Sequence, residues 1–388
     1  MKVCLINPAT DVMISDTLFP PLGLWYVSAA LKMAGHDVEI VDMAFGDPIP
    51  AAELYGITGT ETQSEQVQEL IGKVTRAGKV VVGGAMASVA PYRTLGYGCD
   101  LVVQGEAEEV IGDIATHDGI IRAHRITDLD KVPFPDRAQA HRYSLAVEGI
   151  PAATMMTSRG CPYRCAFCSK PFGYEVIFRS VGNIMAEVRE IRDVYGFKAI
   201  NFVDDTLGIK QGRLLHLSHE LGEAGMMWRC LLRGEQVTLE IAKALKLDGC
   251  VEVGIGIESG SDRILRNIQK GESTAEIERG IIRLKSAGIR VKGFFIIGLP
   301  GEDEESLADT EAFLEQVELD DIDICVLSVY RGSPIWNHPE RYNVGWNGKP
   351  TYYKAAPSKY QCSVSTSALT AERILEARSH LEGRFKRW

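Results

Sequence analysis

The feature that most constrains this chain is a regular beat between residues 150 and 330, where short apolar segments and amphipathic stretches alternate six times. AATMMTS reads as a strand, NIMAEVREIRDVYG as a helix with Ile184, Val188 and Ile191 on one face, and KAINFVDD as the next strand. The beat continues through helix 210–224, strand 228–232, helix 237–247, strand 250–257, helices to about 286, strand 290–297, helix 303–317 and strand 321–329. Strands separated by helices run parallel, because parallel neighbours need a crossover connection. Eight such units close a barrel of roughly 250 residues. Six predict an open, partial (β/α)6 TIM-like barrel, with its reactive groups at the carboxyl-terminal rim.

The first hundred residues carry a looser version of the same alternation. Lys2 to Asn7 is a short apolar run, and Leu24, Val27, Leu31 and Ala34 then recur at helical spacing between Pro21 and Gly35. The strands His36–Asp42, LYGITGT, KVVVGG and DLVVQGE follow, so the fold class is α/β, with a doubly wound, Rossmann-like sheet before the barrel. Such sheets bind ligands at the carboxyl ends of their strands. Those ends carry Asn7, Thr58-Gly59-Thr60, Gly83-Gly84 and Gly105-Glu106, residues that let backbone approach a large ligand closely. Between Asp42 and Leu54 the chain is too short and proline-rich for a crossover helix, so one helix is expected to be lost. The domains expected are 1–115 (doubly wound), 116–150 (a linker containing LDKVPFPDRAQ), 151–330 (the barrel) and 331–388 (a short extension closing the barrel).

Charge and cysteine content narrow the function. Lys+Arg 42 against Asp+Glu 52 gives a formal charge of -10, which disfavours nucleic acid. No apolar run is long enough to span a membrane and the start has no leader-like pattern, so a cytoplasmic protein is expected. In that reducing compartment the 9 cysteines are core residues or metal ligands rather than bridges. Three of them, Cys161, Cys165 and Cys168, follow the first barrel strand as C-x3-C-x2-C in SRGCPYRCAFCSK. Zinc would need a fourth ligand, and the nearest histidine is His141, well upstream. A four-iron cluster held by three thiolates leaves one iron open to a small chelating molecule. Of the remaining cysteines, Cys325 on the sixth strand is the one worth testing for a radical role.

With Arg159-Gly160 before it and the aromatic Phe167 inside it, this loop resembles the signature of the radical S-adenosylmethionine (SAM) enzymes. The order of a doubly wound domain and then this barrel, with PPLGLWYVSAALKMAGHDVEIVD, YGIT, VVGGAMAS and VQGEAEE in sequence, resembles their cobalamin-binding subgroup. The resemblance implies a 4Fe-4S cluster on the three cysteines, SAM on the open iron, and cobalamin in the first domain. It further implies SAM contacts from Phe167, Asp204, Asp205, Arg233, Glu258, Ser259 and Gly298. Cobalamin contacts are expected from Asn7, Asp11, Met13, Thr58, Gly59, Thr60, Gly83, Gly84, Ser88, Gly105 and Glu106. The loop after the first strand contains no histidine, so the lower face of the cobalt should lack an imidazole from it. The implied activity is methylation of an unactivated carbon in a small-molecule or natural-product substrate, with an external one-electron donor such as a flavodoxin or ferredoxin. A rearrangement, cyclisation or ring contraction without methyl transfer is the alternative, and a non-catalytic cobalamin-binding protein the third. No catalytic residue is assigned from the sequence.

Overall fold

The computed structural model describes all residues except 11–12, 349–354, 356–358 and 387–388. Two compact units emerge, Met1–Leu145 with Ile177–Arg179, and Ala146–Val176 with Ser180–Trp388.

In the first unit, strands β1 (Lys2–Asn7), β2 (Asp37–Asp42), β3 (Leu54–Ile57), β4 (Lys79–Val82), β5 (Leu101–Gln104) and β6 (Gly119–Arg122) form one sheet in the order β2-β1-β3-β4-β5-β6. Every pairing is parallel. The strand order reverses beside β1, as the alternating pattern predicts for a doubly wound sheet. Helix α1 (Leu22–Met33) starts after Pro21 and stops at Gly35, whose φ of 86° is left-handed and therefore suited to glycine. Helix α2 (Ser64–Val74) buries Val67, Leu70, Ile71 and Val74 against Ile6, Ile57, Val80 and Val82 of the sheet. That i, i+3, i+4, i+7 spacing puts all four on one stripe, each stabilising the fold by about 1.5–3 kcal/mol relative to exposure. Helices α3 (Gly84–Val89) and α4 (Pro91–Leu95) are short. Between β2 and β3 there is only the turn Met43–Phe45, capped by the Asp42 carboxylate, which accepts from the Ala44 N–H at 2.9 Å.

The stretch expected to be a linker contributes β6 to this sheet. Gly119–Arg122 is a four-residue edge strand, half-exposed on most of its length, so it lacks the strongly apolar signature of the central strands.

In the second unit, β7 (Ala146–Val147) pairs antiparallel with β8 (Ile150–Met155). The two-residue segments β9 (Ser158–Arg159) and β10 (Ile177–Phe178) follow in the chain, the latter as part of the first unit. The sheet then runs in sequence order through β11 (Ala199–Phe202), β12 (Met227–Leu232), β13 (Cys250–Glu258), β14 (Arg290–Ile297) and β15 (Asp321–Val326), all parallel from β8 onward. β8 and β15 do not pair, so the barrel is open, as six units predict. Its crossovers are α5 (Val181–Asp193), α6 (Gln211–Glu223), α7 (Leu239–Leu247), α8 (Asp262–Asn267), α9 (Thr274–Ser286) and α10 (Glu304–Val317). After α11 (Pro334–Asn337) and α12 (Pro339–Tyr342), helix α13 (Ala371–Phe385) covers β15. Ile374, Ala377 and Leu381 are buried there, and buried Arg378 donates from Nε to the Ile324 carbonyl at 3.0 Å. Part of the aromatic stretch WNGKPTYYKAAPSKYQC lies outside the described residues.

Candidate active site

The carboxyl end of β8 runs into the cysteine loop. Gly160, at φ 97°, turns the chain, and the loop is pinned from both sides: Ala166 N–H donates to Ile268 O at 2.8 Å, and Ile335 N–H to Ala166 O at 3.1 Å. Cys161, Cys165 and Cys168 are all free thiols and line one pocket together with Phe167, Lys170, Asp205, Arg233, Glu258 and Lys270. Burial pushes Cys168 up to about 11 and also raises Cys165. A metal that binds such thiols displaces their protons to solvent and holds them as thiolates. Among the described residues no three His, Cys, Asp or Glu side chains are placed to hold a single metal ion. The donor set is three soft sulfurs spread around one pocket, which fits a larger iron-sulfur cluster with a corner left over.

The pocket wall opposite the sulfurs is ionic. β13 carries a register shift between Gly256 and Glu258, and Glu258 sits at φ 69°, a left-handed conformation rare outside glycine. This re-aims its carboxylate into the pocket, where Lys270 Nζ lies 3.1 Å away. A Cβ on the neighbouring Gly256 would stand 2.5 Å from Glu258 Oε1, so a side chain there would displace the carboxylate. Arg233, 5% exposed, pairs with Glu272 at 3.1 Å and donates to the Lys270 carbonyl at 2.6 Å. Its guanidinium stacks 3.8 Å from the Tyr163 ring centroid, tying this wall to the cysteine loop. Burial raises Asp205, an effect that the nearby Lys170 ammonium opposes.

The other residues expected here do not line the pocket. Asp204, 2% exposed, accepts from Thr157 N–H at 3.0 Å, Thr157 Oγ1 at 2.8 Å and Ser158 Oγ at 2.5 Å, fixing the strand end that leads into the loop. Ser259 is fully buried and receives the Ser261 N–H at 3.2 Å. Gly298, at φ 90°, packs beside Ile374 and Val364, and its N–H donates to buried Glu302. Cys325 is buried on β15. Sequence reading passed over Lys170, Lys270 and Glu272. Lys170 had a signal, being two residues from Cys168, whereas the turn after α8 brings Lys270 to the pocket and Glu272 to the Arg233 guanidinium.

In the first unit a mostly apolar cleft lies at the carboxyl edge of the sheet. Leu5, Leu24, Val27, Leu31, Leu54 and Val81 line it, with Thr58, Gly83, Gly84, Gly105 and Glu106 at the strand ends. No heavy atom lies within 4 Å of where a Cβ on Gly23 or Gly83 would stand, so both glycines face open space in the cleft wall. A broad, flat or ring-bearing ligand fits such a cradle. The remaining expected contacts do other work. Asn7 Nδ2 donates to Asp42 at 2.9 Å, Thr60 caps the turn Glu61–Gln63, and a Cβ on Gly59 would meet Val67 at 2.6 Å. Ser88 Oγ donates to Gly84 O at 2.9 Å and accepts the Gly105 N–H at 3.1 Å, joining two glycines of the rim. The Glu106 carboxylate accepts the Ile126 N–H at 2.8 Å. Met13 N–H points to Thr10 Oγ1 at 3.4 Å, and Asp11 lies outside the described residues.

Family models match parts of both units. The radical SAM superfamily model matches residues 155–314 and the B12-binding domain model residues 15–115. An uncharacterized methyltransferase of Pyrococcus horikoshii, PH0819, is 29% identical over 87% of this chain and 83% of its own. The bacteriochlorophyllide d C-12(1)-methyltransferase of Chlorobaculum tepidum is 23% identical over 92% of this chain and 83% of its own. The fold matches that of TsrM from Kitasatospora setae, a radical SAM methyltransferase solved with cobalamin and a [4Fe-4S] cluster bound, with a TM-score of 0.74. That match is 17% identical and covers 91% of this chain and 82% of the other. With a B12-binding domain followed by a radical SAM domain, this chain belongs to the cobalamin-binding radical SAM enzymes.

Proposed function

We infer that this enzyme transfers a methyl group to an unactivated carbon of a small molecule. The observation that carries the reading is the single pocket in which three free thiols face a carboxylate, Glu258, and two cations, Lys270 and Arg233. Relatives that span the same two domains are named methyltransferases, which supports the outcome of the chemistry. When bound, the cluster supplies one electron to cleave SAM into a carbon-centred radical, and cobalamin carries the methyl group.

The chain's own residues have geometric and electrostatic tasks. Cys161, Cys165 and Cys168 would hold the cluster and leave a position on it for SAM. Glu258 and Asp205 present carboxylates to the ribose and amino groups, Lys270 and Arg233 face the carboxylate, and Phe167 shields the cluster from water. Asp204, Ser259 and Gly298 are positioning residues behind this surface. In the first unit Thr58, Gly83, Gly84, Gly105 and Glu106 line the cobalamin cleft, while Asn7, Gly59, Thr60 and Ser88 shape its rim. Nine free cysteines suit a reducing cytoplasm, where a flavodoxin or ferredoxin would donate the electron.

The test is anaerobic reconstitution with iron, sulfide and cobalamin, followed by incubation of the reduced protein with methyl-deuterated SAM and candidate substrates. Formation of 5'-deoxyadenosine together with S-adenosylhomocysteine and a deuteriomethylated product is expected. 5'-Deoxyadenosine with a substrate change but no methylated product would replace methyl transfer by rearrangement, and no cleavage of SAM at all would leave only cobalamin binding.

A further inference from the structure

We propose that Lys170 sets the reduction potential of the cluster, keeping it within reach of a one-electron protein donor. This rests on the cluster assignment above and adds a role for a residue outside the three thiols. Lys170 Nζ lies 3.7 Å from Cys168 Sγ, and its charge also acts on Cys161, which lines the same pocket. The other two cations of the pocket are committed to carboxylates: Arg233 to Glu235 at 2.9 Å and Glu272 at 3.1 Å, Lys270 to Glu258 at 3.1 Å. Lys170 is the pocket cation whose side-chain hydrogen bond goes to sulfur.

The electron comes from a flavodoxin- or ferredoxin-type protein, or from dithionite in vitro, and enters the cluster with no bond made or broken. The reduced cluster carries one more negative charge than the oxidised one. A cation hydrogen-bonded to a ligand sulfur therefore stabilises the reduced form more, and in a half-buried pocket that difference is only weakly screened. Lys170 is a positioning and tuning residue, with no contact to a reacting atom required.

The experiment is a mediated redox titration followed by electron paramagnetic resonance, on reconstituted wild type, Lys170→Met, Lys170→Gln and Lys170→Arg. SAM is omitted, so that any role in binding it cannot contribute. The neutral variants are expected to retain the cluster and to show, at a fixed poise, about a tenfold lower ratio of reduced to oxidised cluster, equivalent to about 59 mV for a one-electron couple. Lys170→Arg should lie near wild type. An unchanged ratio in both neutral variants overturns the proposal. Loss of the cluster from both also overturns it, because Lys170 would then serve assembly rather than tuning. A wild type that assembles no four-iron cluster is a separate result, and it removes the functional reading itself.

Discussion

At the scale of single residues, the pocket is organised by compensation. Lys270 is 4% exposed and Glu272 6%, and each charge is tolerated because an opposite one stands beside it. Lys270→Met leaves Glu258 without its ammonium, and a loss of about 3 kcal/mol in unfolding free energy is expected from urea titration. Adding Glu258→Gln should recover part of that loss, and strict additivity of the two changes would refute the pairing. Glu302 behaves differently. Burial pushes its carboxyl up to about 8, while the Gly298 and Leu299 N–H groups only partly oppose the shift. The folded protein thus holds a proton that the unfolded chain releases at lower pH, so stability falls as pH rises from the ordinary carboxylate range through about 8. Urea midpoints measured between pH 5 and 8 should fall for wild type and stay flatter for Glu302→Gln. The cysteine triplet was legible because its spacing is itself the chemistry. The division of labour between Asp204 and Asp205 was not: adjacent residues leave a strand end on opposite sides, and only the bonds to Thr157 and Ser158 reveal which one turns inward.

At the scale of elements, the turn Gly234–Gln236 that follows Arg233 is set by a close approach to α9. A Cβ on Gly280 would stand 2.6 Å from Gly234 O, and one on Gly234 would stand 2.5 Å from Ile277 Cα. Gly280→Ala should cost about 1–3 kcal/mol through overpacking and displace the turn that carries Arg233. Calorimetry should show a lower Tm, and SAM affinity should weaken in the same variant; unaltered affinity would separate the turn from the pocket. Periodicity revealed all six barrel strands: β11 and the end of β8 are continuously buried, while β12 and β14 alternate between buried and more exposed residues. It was weakest at β6 and at Glu258, where β13 departs from regular geometry, since a register shift leaves no trace in composition.

At the scale of the whole molecule, two units with separate cores imply two unfolding transitions. Cobalamin at a hundred times its Kd should stabilise the first by about 2.7 kcal/mol and leave the second unmoved. A uniform shift of both, or of neither, would count against the cleft as the binding site. The first unit is discontinuous, and Arg179 from its second segment stacks 5.5 Å from the Phe134 ring centroid of its first. On the ribosome, a nascent chain that has just released Leu145 is therefore still missing a piece of that unit. Residues 146–176, with the three loop thiols among them, must emerge before the piece arrives. Synthesis thus exposes the three cysteines while both units are still unfinished.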